Sequence, residues 1–151
     1  MKKISIAIII SMCFSLISFG KEVDQCLENA KSQSGMNRCE GINLEKADAE
    51  LNRVYKLIQK AYKNDVAFLS KLKKSQRIWL KLRDADMEMR FPPADERHQY
   101  GSVFPMCHAA IETTLILQRV EYLKQWLVGV EEGDVCSGSI MRPDQIRKAI
   151  K

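Results

Sequence analysis

Apolar side chains return every three or four residues along most of this chain, and no alternating run is long enough to make a strand. That periodicity confines the fold to helices packed through one face. Val23 to Lys31 reads as a short first helix, with Asp24 favouring its N-terminus and Ser34-Gly35 breaking it. From Met36 the stripe Cys39, Ala47, Leu51, Val54, Tyr55, Ile58 and Tyr62 predicts one long amphipathic helix ending near Asn64-Asp65, although Gly41 weakens it locally. Either Asn64 or Asp65 suits the cap of a second long helix, whose seam is Leu69, Leu72, Trp79, Leu80 and Met87. That helix should stop before Phe91-Pro92-Pro93, because a residue ahead of proline is pushed out of the α region. Beyond a polar loop, Ser102 is expected to cap a third long helix with Phe104, Cys107, Ile111, Leu115, Tyr122, Trp126 and Val130 on its seam. Pro143 suits the first turn of a short terminal helix reaching Ile150. The expected fold is all-α: an antiparallel bundle of three long helices with short flanking helices.

The first twenty residues differ in kind. Lys2 and Lys3 precede an apolar run from Ile4 to Phe19, and the small residues Ser18 and Gly20 stand just ahead of Lys21. This has the form of a signal peptide, residues 1–20, leaving a helical domain over 21–130 and a tail over 131–151 with its short helix. The run falls short of the roughly 20 apolar residues a span needs, which argues against an uncleaved anchor, and no second such stretch follows. Lipid attachment at Cys13 is disfavoured by bulky Met12 and by the apolar run continuing to Phe19. The expected location is therefore the periplasm or the outside of the cell, without a membrane span.

Four cysteines remain after cleavage, Cys26, Cys39, Cys107 and Cys136, an even count in a small exported chain that favours disulfides. Zinc is disfavoured because no Cys-x-x-Cys pair is present and His98 and His108 are not at ligand spacing. Neither metal nor cofactor is expected. Without Lys2 and Lys3 the 24 basic residues become 22, against 19 acidic ones, so the mature charge is mild. Lys56, Lys60, Lys63, Lys71, Lys73 and Lys74 are interleaved with apolar positions, which suits solvated helix faces and not a nucleic-acid stripe.

A set of polar residues shares the apolar seams. Asp48, Asn52 and Tyr55 fall on one face of the first long helix; Gln76, Trp79 and Arg83, followed by Asp84, do so on the second; Arg119 lies near the seam of the third. A buried arginine needs a partner to offset its desolvation, and Arg83 with Asp48, or Arg119 with Asp84, are the expected pairs. The set reads as a structural network fixing helix register. A pocket in which Asp48, Asp84 and Arg83 do acid–base work is the competing reading. No nucleophile–base–orienter set, Gly-rich phosphate loop or His-Glu-x-x-His pair accompanies it, so an enzyme is not expected.

Together, Ser32-Gln33-x-x-Met36-Asn37-x-Cys39, Ala47-Asp48-x-x-Leu51-Asn52-x-x-Tyr55, Gln76-Arg77-x-Trp79-Leu80-x-x-Arg83-Asp84-Ala85 and Gly101-Ser102-x-x-Pro105-Met106 resemble the LprI-type lysozyme inhibitor family, over roughly residues 26 to 127. The resemblance implies an α-helical envelope protein that, in some members, inhibits lysozyme. Members usually carry cysteines where this chain has Met87 and Ile111. Their joint absence implies that those two positions normally bond to each other, which leaves Cys26–Cys39 as the retained bridge and Cys107–Cys136 as a replacement staple. The implied partner is lysozyme or another muramidase, and the alternative is an envelope scaffold or interaction module without such a target. A loop offering donors or cations to the two carboxylates of a lysozyme cleft would inhibit it. In the loop from Phe91 to Ser102 the contact residues would be Arg97, His98, Tyr100 and Ser102; a plain connector is the competing reading.

Overall fold

A computed structural model describes residues 25–92 and 100–151, and these are all-helical, with no strand among them. The expected signal segment, with Val23 and Asp24, lies outside the described residues. A helical segment over 25–29 is followed by α1 (Gln33–Ala61), α2 (Val66–Arg90), α3 (Phe104–Val128) and α4 (Pro143–Ile150), with a 3-10 turn at Gly101–Val103 leading into α3.

The helix starts show which polar residues act as caps. Ser32 caps α1 by accepting the Gly35 N–H at 3.1 Å, so Ser34-Gly35, expected to break the chain, lies inside the first turn. Asp65 caps α2 by accepting the Phe68 N–H at 2.9 Å. Ser102 does not cap α3 as expected. It sits in the 3-10 turn, and α3 begins after Val103 with Pro105 in its first turn, where the missing N–H costs nothing.

The long helices run up, down and up. Gln33 reaches Met106, Asn37 donates to the Ser102 carbonyl, and Tyr62 donates to the Trp126 carbonyl, so α1 and α3 are parallel. Phe68 faces Trp126, Gln76 faces Arg119, Arg83 faces Glu112 and Phe91 faces Phe104, so α2 is antiparallel to α3 in one constant register. The core lies between α1 and α3, where Ala47, Val54, Ile58, Ile116 and Val120 are wholly buried. Burying each larger apolar side chain of this kind stabilises by about 1.5–3 kcal/mol. Leu80 and Tyr122, expected on seams, are instead 36% and 49% exposed.

The tail folds back over the far end of α1 and α3. Tyr62, 3% exposed, accepts the Met141 N–H at 3.0 Å while donating to Trp126, and Trp126 Nε1 donates to Ser139. Ile146 of α4 is 2% exposed in the core. The reversal needs Gly129, at φ 83°, because a Cβ there would stand 2.7 Å from the Met141 carbonyl oxygen.

Cys26 and Cys39 form a disulfide that ties the 25–29 segment to α1; a closed loop of this size contributes about 3 kcal/mol on a chain-entropy estimate. The expected Cys107–Cys136 staple is not formed, and both are free thiols. Cys107 lies in the first turn of α3, and about 30 Å of helix separates it from the end where the tail docks. A disulfide requires Cα atoms some 5.5 Å apart.

Candidate functional site

The polar residues of the seams meet along the line where α2 crosses α3. Arg119, 9% exposed, donates from Nε to Gln76 Oε1 at 3.1 Å and from Nη2 to Ser75 Oγ at 2.9 Å. Its guanidinium also lies 5.7 Å from the Trp79 ring centre and 5.3 Å from that of Tyr122. Burial pulls its pKa below the ordinary arginine value, with the Tyr122 hydroxyl acting weakly the other way. The cation is thus held by an amide, a hydroxyl and two ring faces. The expected Arg119–Asp84 pair is absent because Arg119 faces Gln76, and Asp84 lies eight residues, about 12 Å, further along α2.

Arg83 also lies over the Trp79 ring, 5.7 Å from its centre. It contacts Asp84 Oδ1 at 2.7 Å and Glu112 Oε1 at 3.5 Å, and not Asp48 as expected. Ala47, Leu51, Val54 and Ile58 take the inward positions of α1, so Asp48 and Asn52 turn to solvent and Tyr55 is half-buried against the core. Gln76, Trp79, Arg83, Asp84 and Arg119 are brought together; Asp48 and Asn52 stand apart from them. Glu112, the carboxylate across from Arg83, was not singled out by the sequence, where it is one acidic residue among many.

Beyond Arg83 the α2–α3 seam opens into a cleft of about 320 Å³. Asp84, Glu88 and Glu112 supply its acidic side, and Phe91, Phe104 and His108 its aromatic side. His108 stacks on Phe91 with ring centres 5.6 Å apart, and its Nδ1 lies 3.7 Å from Glu112 Oε2. Tyr100, one of the expected contact residues, is half-buried: its ring stacks on Phe104 at 5.1 Å and meets Phe91 edge-on at 5.7 Å. Ser102 is exposed, and its carbonyl accepts from Asn37 Nδ2 at 3.1 Å. Arg97 and His98 lie outside the described residues. The signal for the aromatic cluster is in the sequence, since Phe104 and His108 are four apart on a helix and Phe91 and Tyr100 flank the loop.

Carboxylates beside aromatic faces favour a cationic group, which gains from both the charge and the ring quadrupoles. Among the described residues no helix is long and apolar enough to cross a membrane.

Comparison with known proteins adds two findings. The family model described as Lysozyme inhibitor LprI matches residues 25–123, which include α1, α2 and most of α3. An uncharacterized protein of Rhizobium meliloti (strain 1021) is 28% identical over 136 residues, covering 83% of this chain and 95% of the relative. No solved structure matches.

Proposed function

Because the chain belongs to the LprI lysozyme inhibitor family, we propose that it is an exported envelope protein that binds a muramidase such as lysozyme and blocks its attack on peptidoglycan. The family match is the observation that carries this reading. The cleft supplies a way for it to work. Many lysozymes are cationic, and Asp84, Glu88 and Glu112 gather negative charge at one end of a chain that is slightly basic as a whole. That end receives a lysine or arginine of the enzyme against Phe91 and Phe104. Arg97 and His98, which lie between Phe91 and Tyr100 in the sequence, supply in this reading the cation or donor that the enzyme's catalytic carboxylates take in place of substrate.

The test is capture on immobilised lysozymes of several types, paired with a turbidity assay of cell-wall protection. Binding to at least one type is expected, with Arg97→Ala and Asp84→Lys each weakening it about tenfold or more. Failure to bind any type would remove the inhibitor reading. Binding that survives both substitutions would leave the inhibitor reading standing and move the contact surface elsewhere.

A further inference from the structure

One cation buried in the α2–α3 seam has no anion. Arg119 is 9% exposed, and its hydrogen-bond partners among the described residues are the Gln76 amide oxygen and the Ser75 hydroxyl, both neutral. Its remaining N–H groups meet no acceptor there, and burial lowers its pKa with no carboxylate opposing the shift. A charge taken out of water without an opposite charge is costly. The neutral acceptors and the Trp79 and Tyr122 rings offset only part of that cost.

The same arginine lines a groove of about 430 Å³ beside α2. The groove has two unlike ends. Lys71, Lys74 and Ser75 lie toward the start of α2, whereas Ile78 and Leu82, each 56% exposed, follow at the next turns with Trp79 beside them. No carboxylate among the described residues lines it. A small hydrated anion would leave Ile78, Leu82 and Trp79 bare, and a neutral hydrocarbon would leave Arg119 unpaired. We propose that the groove binds a single-chain anionic amphiphile, a carboxylate carrying a hydrocarbon chain as in a fatty acid. The carboxylate takes the unused N–H groups of Arg119, whose planar edge suits it, while Lys71 and Lys74 draw anions toward the opening. The chain lies along Ile78 and Leu82 and covers apolar surface that the protein otherwise leaves in water. The acidic cleft at Phe91 attracts groups of the opposite charge, so the two sites do not compete.

Titration of the purified, isotope-labelled protein with octanoate tests this, read from the side-chain N–H signals in its magnetic resonance spectrum. The Trp79 indole and Arg119 Nε signals should move and saturate, with a Kd of about 1 mM or tighter. The Trp126 indole, which donates to Ser139 at the far end of α3, should stay in place. Octanol, with the same chain and no charge, and acetate, with the charge and almost no chain, should each bind about tenfold more weakly or worse. Ile78→Glu sets a carboxylate in the groove at an exposed position, so it should weaken octanoate by about tenfold or more with the helical circular dichroism intact. Signals that do not move up to about 10 mM octanoate overturn the proposal. So do octanol or acetate binding as well as octanoate, an equal shift of Trp126, or an Ile78→Glu variant of undiminished affinity. Lysozyme capture by the Ile78→Glu variant keeps this result separate from the proposed function.

Discussion

Two helices of similar length, α1 with 29 residues and α2 with 25, are held in the molecule by very different amounts of surface. α1 buries seven residues, from Cys39 to Ala61, in a continuous stripe against α3 and the tail, whereas α2 buries Leu72 and Met87 alone. What fastens α2 between those two points is the half-buried Trp79 and polar contacts with α3: the Arg119 bonds to Gln76 and Ser75, and the Arg83 contact with Glu112. Stability therefore resides in the α1–α3 pair, while α2 has one face on the cleft and another open to solvent. An element with few buried apolar contacts is also the one that opens at least cost.

Substitutions on the two helices give the most severe way to break this contrast. Ile58→Ala, at a wholly buried position of α1, should lower the free energy of unfolding by about 2–5 kcal/mol in urea titration. Leu82→Ala on α2 should change it by less than about 0.5 kcal/mol in the same experiment at micromolar protein. Comparable losses would erase the distinction. The far end of the α1–α3 pair is sharpened by Tyr62→Phe, which strands the Trp126 carbonyl and the Met141 N–H. A loss of about 1–3 kcal/mol is expected, with faster hydrogen exchange at the Met141 amide. Unchanged exchange there would mean that the tail is held by Ile146 and not by the tyrosine.

The smallest effect concerns Glu50 of α1. Its carboxyl is held below the ordinary value of 4.5 chiefly by the hydrogen bond from Arg53, with Lys124 of α3 adding to the effect against the opposing pull of burial. A depressed folded-state pKa means that this stabilisation is complete above about pH 4.5 and disappears as pH falls through the lower folded value. Arg53 is well exposed, so screening limits the contribution to a few tenths of a kcal/mol, about the value of a surface pair. Glu50→Gln should flatten the acid limb of the stability curve by about that much, and an unaltered limb would discount the pair.

Helix identity is legible in the sequence because the seams of α1, α2 and α3 repeat over many turns, and Pro143 marks α4 without help from packing. Rotation and register are less legible. Asp48 differs from Ala47 by one position, or about 100° around the helix, and only the partner surface decides which of the two points inward. Arg119 found Gln76 and Ser75 in place of Asp84 because the antiparallel register fixes who stands opposite whom, and that register is set by Phe68, Trp126, Phe91 and Phe104 at the two ends. The retained bridge Cys26–Cys39 agrees with what the family resemblance implied. The other pair was excluded by the length of α3, which only the three-dimensional path of the tail exposes. The cleft escaped notice because its carboxylates come from two helices and its aromatic rings from both sides of a loop.

The parallel relation of α1 and α3 has a kinetic consequence. The contacts that join them span 64 to 73 residues of sequence, so the most stabilising interface is also among the most distant along the chain. Closing so long a loop delays the reward until α3 exists to be met. Without the residues from 104 onward, Val54 and Ile58 lose Ile116, Val120 and Leu123 and keep only the α2 contacts of the cluster, such as Leu72. Docking of α3 beside α1 is thus the long-range step on which the rest of the core depends, and a chain cut before residue 104 is expected to lack the α1–α3 core.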